Sequence, residues 1–301
     1  MQFSATLICP PHAASGFAAE AEQLRAKLPQ GQLRRWLAPD LVADLAFTAS
    51  ALEEAQALAK ALLPPCLCAR PVDVIIQLED NFRRKKLLIA DMDSTMIGQE
   101  CIDELADFAG VKAKVSAITE RAMRGEIAFE PALRERVALL QGMATSIVDQ
   151  VIAERIRVTP GAKTLVATMR ANGAFTALIS GGFDVFTSKI AANIGFDINR
   201  ANRLLVAGGH FTGEVAEPIL GRAAKCAALE ELAATKGLDL RATMAVGDGA
   251  NDLDMIKRSG LGIAYHAKPQ VAAAAQASIE HNDLTALLYA QGFGVDEFVV
   301  V

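Results

Sequence analysis

The segment KKLLIADMDSTMIGQE, residues 85–100, decides the reading of this chain. Four apolar residues, Leu87 to Ala90, run straight into Asp91, and Asp93 follows two positions later. A short unbroken apolar run bounded by polar residues reads as a strand buried on both faces, the kind a parallel sheet contains. Ending such a strand in two carboxylates is costly unless something compensates the charge. Two later segments end in a similar way. TALISGG, residues 176–182, finishes in Ser180, Gly181 and Gly182, and MAVGDGAND, residues 244–252, finishes in Asp248 and Asp252. Neighbouring parallel strands end on the same side of a sheet, so four carboxylates and a hydroxyl would converge there. Carboxylates crowded in this way repel one another unless a hard cation holds them, and Mg²⁺ takes oxygen ligands and bridges to phosphate. The expected cargo of Asp91 and Asp93 is therefore a magnesium ion and a phosphoryl group. Glycines beside Ser180 and around Asp248 let the backbone approach an anion closely. Lys225, on the helix before the last of these strands, is the candidate cation for the phosphoryl group.

Outward from this strand, residues 81–301 alternate helix and strand, which predicts a mostly parallel, Rossmann-like α/β sheet. ECIDELADFAG, AKVSAITERAMRG, FEPALRERVALLQG and SIVDQVIAERI interrupt the alternation with four helical segments and no strand. An insertion there, at about residues 98–156, would sit over the carboxyl ends of the strands, where open α/β sheets place their sites. It reads as a helical cap. Downstream, RLLVAGGHFTGEV suggests two strands around a Gly-Gly turn.

Residues 1–80 form a different pattern, strand-helix-strand-strand-helix-strand, which is the ferredoxin-like α+β order. Ser50 with Glu53 three positions on suggests a capping box at the start of its second helix. EDNFRRK, residues 79–85, is polar and reads as the linker.

Composition narrows the function classes. With 301 residues, 52% hydrophobic and 22% charged, the chain can bury a sizeable core. A net charge of −5 and a longest basic run of four residues, Arg83 to Lys86, give no nucleic-acid footprint; that run reads as a solvated strand entry. MQFSATLICPPHAASG has neither a basic nor a long apolar region, so no secretory signal is expected, and no apolar stretch approaches the ~20 residues that cross a bilayer. Five irregularly spaced cysteines, with Cys66 and Cys68 as a lone C-x-C, argue for reduced thiols in the cytoplasm rather than a zinc site. The four histidines do not cluster and are given no catalytic part.

DMDST, SGG, the later lysine and GDGAND together resemble the four motifs of the haloacid dehalogenase-like phosphohydrolases. Across residues 83–290, DSTMIGQECIDELADFAG, AMRGEIAFEPALRERVALLQG and VGDGANDLDMIKRSGLGIAYHAKP resemble the phosphoserine phosphatase family within them. The first 80 residues resemble the ACT-like domain that precedes the catalytic part in some bacterial members. The resemblance implies hydrolysis of O-phospho-L-serine to L-serine and phosphate, the last step of serine biosynthesis, through an aspartyl-phosphate. Asp91 would be the nucleophile and Asp93 the general acid and then base. Magnesium would be held by the Asp91 side chain, the Asp93 backbone carbonyl and Asp248, with Asp252 supporting the metal shell. Ser180, Gly181 and Lys225 would bind the phosphoryl group, with Asn251 close by. Glu100 would take the substrate ammonium and Arg136 its carboxylate, while Met123 and Phe129 would wall the pocket. Chemistry alone leaves Arg134 and Arg136 equivalent; the family pattern selects Arg136. The alternative is a related phosphatase or phosphotransferase acting on another small phosphorylated metabolite, such as phosphohomoserine. For the N-terminal unit, a homodimer contact and amino-acid sensing both stay open, since it carries no binding signature.

Overall fold

The protein is described by a computed structural model that covers residues 1–123 and 126–301, except the side chains of Cys66, Cys68 and Met123. The N-terminal unit comprises β1 (Gln2–Ile8), α1 (Phe17–Lys27), β2 (Gln32–Ala38), β3 (Val42–Thr48), α2 (Leu52–Leu62), the short α3 (Pro65–Cys68) and β4 (Asp73–Leu78). Its strands form an antiparallel sheet in the order β2-β3-β1-β4. The capping box expected at Ser50 is shifted: α2 is capped at Ala51, and it is Glu54, not Glu53, that accepts the Ser50 N–H at 2.7 Å.

β1 is buried on both faces because both faces are covered. Phe3, Ala5 and Leu7 pack with Phe17 and Leu24 of α1. Ile8, Leu37, Val42 and Ile75 join the main hydrophobic core of the rest of the chain. Polar groups fasten this seam. The buried Arg83 guanidinium lies 2.6 Å from Asp44, and Asp73 accepts hydrogen bonds at 2.8 Å from both the Glu280 N–H and the Asn282 side-chain amide.

The second sheet begins with β5 (Leu87–Ala90). Four helices follow: α4 (Cys101–Phe108), α5 (Lys112–Met123), α6 (Phe129–Ala138) and α7 (Ile147–Glu154). Next come α8 (Ala162–Ala171), β6 (Phe175–Phe183), α9 (Asp184–Ile194) and β7 (Ile198–Asn202). A hairpin of β8 (Leu204–Ala207) and β9 (His210–Val215) leads to α10 (Arg222–Thr235), β10 (Thr243–Gly247), α11 (Leu253–Arg258) and β11 (Leu261–Tyr265). The chain closes with α12 (Pro269–Ala274), β12 (Ala277–Ile279) and α13 (Ala286–Ala290).

The six strands are parallel in the order β12-β11-β10-β5-β6-β7. β5 therefore lies between β10 and β6, and the three strands that end in acidic or small residues are neighbours. β5 is fully buried, which accounts for its unbroken apolar sequence. The two stems of the helical insertion meet beside it: Ile97 bridges Val158, and the Gly98 N–H donates to the Arg157 carbonyl at 3.1 Å. Among the described residues no helix is long and apolar enough to cross a membrane.

Candidate active site

At the carboxyl end of β5 the chain makes a tight turn, Met92–Met96, in which Ser94 takes a left-handed conformation with φ 54°. A residue with a side chain pays for that geometry, and Ser94 recovers part of the cost locally. Its N–H donates to the Gln99 carbonyl at 3.2 Å, and its hydroxyl donates to Glu100 at 2.6 Å. The turn leaves Asp91 and Asp93 facing the cavity that the insertion covers.

That cavity measures about 520 Å³. It gathers Asp91, Asp93, Ser180, Gly181, Asp248 and Asn251 from the strand ends, and Glu100, Phe129 and Arg136 from the inserted helices. Met123 ends α5, and its side chain lies outside the described residues. Lys225 and Asp252 sit behind the cavity wall, both fully buried. Lys225 Nζ is 2.7 Å from Asp91 Oδ1 and 2.6 Å from Asp252 Oδ1. Burial alone would push the ammonium down, but the Asp91 and Asp252 carboxylates outweigh it and hold the lysine above its ordinary pKa.

The acids are not equivalent. Asp91 Oδ1 accepts from the Met92 N–H at 2.8 Å as well as from Lys225, which leaves Oδ2 without a hydrogen-bond partner among the described residues. Asp93 Oδ1 accepts from the Cys101 N–H at 3.3 Å. Burial, reinforced by the charges of Glu100 and Asp91, pushes the Asp93 carboxyl well above the usual range. It is an acid built to keep its proton, set beside a carboxylate that faces a lysine, an arrangement suited to one nucleophile and one proton donor.

Asp91, Asp248 and Asp252 bring carboxylate oxygens within 4.8 Å of one another. Burial and the Asp91 charge raise Asp248 to about 6 and Asp252 to about 7. These carboxylates are thus short of positive charge, and an all-oxygen donor set fits a hard divalent cation. Asp252 has a second task. Its Oδ2 accepts from the Gly249 N–H at 3.1 Å, which shapes the loop that presents Asp248.

β6 bulges at its end. Its pairing with β7 skips from Ile179 to Phe183, so Ser180, Gly181 and Gly182 leave the ladder and turn toward the cavity. Ser180 Oγ accepts from the Gly182 N–H at 2.9 Å, which frees its proton for an acceptor in the cavity. A Cβ on Gly182 would stand 3.0 Å from Asp93 Oδ2 and 3.1 Å from Ser180 Oγ, so only glycine fits without displacement.

The insertion contributes two opposite charges, Glu100 and Arg136, to the cavity. Among the described residues neither Glu100 nor Arg136 has an ion-pair partner. Arg136 is half-buried and donates only weakly, at 3.3 Å to the Ala132 carbonyl and at 3.5 Å to Thr119 Oγ1. Burial lowers its pKa, opposed by Asp103 and Glu100. Glu100 is raised by partial loss of hydration and by Asp248 and Asp91, against the pull of Ser94. Phe129 is 40% exposed and lies against Gly181 and Gly221, so it is a cavity wall rather than a core residue.

Two supporting residues escape sequence reasoning. The Thr95 hydroxyl donates to Asp248 at 3.3 Å. The buried Asn202 amide donates to the Gly181 carbonyl at 2.8 Å and to the Leu220 carbonyl at 3.2 Å, while its oxygen accepts from the Leu220 N–H at 2.6 Å. Thr95 could have been suspected from its place in the DMDST run, but Asn202 lies in a polar stretch with no motif.

Known proteins resemble this chain strongly. Residues 88–257 match the family model for haloacid dehalogenase-like hydrolases. A phosphoserine phosphatase of Streptomyces coelicolor is 42% identical over 227 residues, which is 75% of this chain and 55% of that protein. A substrate-bound phosphoserine phosphatase structure is 42% identical over 68% of this chain and 97% of its own, with a TM-score of 0.64. A haloacid dehalogenase family hydrolase from Salmonella enterica serovar Typhi covers 98% of this chain and 99% of its own, with a TM-score of 0.84 and 28% identity. The chain spans 51 to 63% of the length of three curated phosphoserine phosphatases that it matches. The matched motifs are the ones that converge on the cavity, and the chain belongs to the haloacid dehalogenase-like hydrolases.

Proposed function

We propose that this protein is a magnesium-dependent phosphoserine phosphatase, which hydrolyses O-phospho-L-serine to L-serine and phosphate. The observation that carries the reading is the pairing, in one cavity, of a nucleophile-acid couple with Glu100 and Arg136, neither of them ion-paired among the described residues. A phosphorylated amino acid brings a phosphate, an ammonium and a carboxylate. Glu100 receives the ammonium, and Arg136 meets the carboxylate with two parallel hydrogen bonds. A phosphate ester without an amino-acid part leaves both charges unanswered. The similarity to a substrate-bound phosphoserine phosphatase supports the same choice.

In this mechanism Asp91 attacks phosphorus with a carboxylate oxygen as the bond to the seryl oxygen breaks. Asp93 passes its proton to that oxygen, and serine leaves. The Asp93 carboxylate then takes a proton from water, whose oxygen attacks the aspartyl-phosphate, and the bond to Asp91 breaks. The Ser180 hydroxyl and the Gly181 backbone hold the phosphoryl oxygens, with Asn251 beside them, and the buried Lys225 supplies positive charge from behind Asp91. The Asp91 side chain, the Asp93 backbone carbonyl and Asp248 would hold Mg²⁺, with Asp252 fixing the loop behind. The ion supplies positive charge to the phosphoryl oxygens as the transition state spreads negative charge over them. Phe129 forms an apolar side of the closed pocket.

The reading includes a cytoplasmic location and a division of the chain near residue 80, with the cap at about 98–156. It leaves the N-terminal unit an ACT-like module whose outward surface, its helices and the β2 edge, is available to pair two chains. The test is phosphate release with Mg²⁺ from L-phosphoserine, phosphothreonine, phosphohomoserine and p-nitrophenyl phosphate. A clear preference for L-phosphoserine supports the reading. Equal rates on all four esters would remove the substrate assignment and keep only the phosphatase chemistry.

A further inference from the structure

Arg136 and Phe129 recognise nothing unless α6 stands at the right height over the strand ends, and the core itself fixes that height. The β8–β9 hairpin turns through Gly208 and Gly209, both with positive φ, as a two-residue hairpin requires. Its outer edge then pairs with the inserted segment that follows α6. The Gly142 N–H donates to the Phe211 carbonyl at 2.8 Å, the Phe211 N–H donates to the Met143 carbonyl at 2.9 Å, and the Thr145 N–H donates to the Gly209 carbonyl at 2.9 Å. Ala144 and His210 form an antiparallel bridge. Residues 142–145 are in effect a third strand of the hairpin. The hairpin thus fastens the insertion to the core beyond its two stems, alongside the exposed ion pairs Arg134–Glu217 and Lys189–Asp149.

Gly213 sits at the tightest point. Its φ is +84°, and a Cβ there would stand 2.9 Å from Gln141 Cβ and 3.4 Å from the Ala138 Cα and carbonyl oxygen. Ala138 ends α6, two residues after Arg136. A side chain at 213 would clash with Gln141, three residues past the end of the helix that carries the arginine, and would lie in van der Waals contact with Ala138.

We propose that the β8–β9 hairpin is a strut that sets the position of α6, and that Gly213 is a positioning residue for substrate recognition by Arg136. Gly213 does not touch substrate; it acts by allowing the close approach of hairpin and helix. The inference rests on the phosphoserine reading above and extends it to a residue far from the reacting atoms.

The test compares Gly213→Ala with Gly209→Ala. Both substitutions strain a positive-φ backbone, but at Gly209 a Cβ meets nothing within 4 Å. Gly213→Ala is expected to raise KM for L-phosphoserine about tenfold or more, with kcat/KM on p-nitrophenyl phosphate within about twofold of wild type. Gly209→Ala is expected to leave both unchanged. Adding Gln141→Gly to Gly213→Ala removes the atom that the new methyl meets and is expected to restore KM. An unchanged KM in Gly213→Ala, equal losses on both esters, or no recovery in the double variant would overturn the proposal. Hydrogen exchange on the wild-type chain reads the strut without substitution or substrate. The amides of Gly142, Phe211 and Thr145 should be protected as well as those of α6, and exchange at exposed-loop rates would contradict the strut. Failure of wild type to use L-phosphoserine would instead remove the substrate reading and leave the strut to the exchange measurement.

Discussion

Lys225 Nζ stands 2.7 Å from Asp91 Oδ1 with both side chains closed off from solvent. A second contact at 2.6 Å ties the same ammonium to Asp252. Replacing Lys225 with methionine leaves two buried carboxylates facing each other. Removing one partner of a buried pair costs about 3–5 kcal/mol. Urea denaturation of Lys225→Met should show a loss of that order, and added Mg²⁺ should recover more of it than it adds to wild type. A variant as stable as wild type without metal would show that the ammonium does not hold this acidic cluster.

The raised pKa values of Asp248 and Asp252, about 6 and about 7, make cation binding pH-dependent. The ion needs both carboxylates deprotonated, so affinity should rise from pH 5.5 to pH 8, with proton uptake by the buffer on binding. The sign for the metal-free protein is the reverse of the usual acid case. Between the ordinary carboxylate range and these raised values the folded state holds more protons than the unfolded state, so these groups make stability fall as pH rises through that window. Mg²⁺ should cancel that loss. Titration calorimetry at the two pH values checks both parts, and a flat affinity would contradict the assignment.

Arg136→Ala and Glu100→Gln probe substrate choice rather than chemistry. Each removes one charged partner of the amino-acid group, an interaction worth about 1.5–3 kcal/mol. kcat/KM on L-phosphoserine should drop roughly 10- to 100-fold, while p-nitrophenyl phosphate is spared. Equal loss on both esters would mean that these residues hold the cap together and do not read the substrate.

Gly182→Ala acts on the acid itself. A methyl group 3.0 Å from Asp93 Oδ2 must displace the carboxyl or the Ser180 hydroxyl. The expected outcome is a fall in kcat of about a hundredfold, on amino-acid and simple phosphate esters alike, with KM little changed. Wild-type turnover in this variant would show that the close approach has no catalytic consequence.

The parts of the fold that were legible are those whose burial leaves a continuous signal. β5, β6 and β10 are buried along most of their length and end in acids, serine or glycine, so their apolar runs and their endings were both readable. The four inserted helices and the Gly-Gly hairpin were readable from periodicity and turn chemistry. β7 was not, because INRAN is a mostly half-buried edge strand with a polar sequence. β12 has three residues and α13 five, too few to establish a period. The same limit hid Asn202, whose importance lies in what β7 packs beside. Asp252 shows a different limit: sequence places it near the metal, and only the structure shows both of its oxygens engaged by Lys225 and Gly249. The tight fit at Gly213 has no sequence signature, since glycine there could equally have served the turn.

In the proposed reaction Asp91 accepts the phosphoryl group of L-phosphoserine with a divalent cation bound beside it. The most direct measurement is phosphate release from L-phosphoserine by wild type and Asp91→Asn, each with Mg²⁺ and with EDTA. Turnover is expected only for wild type with Mg²⁺, together with a phosphate-labelled Asp91 trapped by rapid acid quench. Turnover by Asp91→Asn, or undiminished turnover in EDTA, would contradict it.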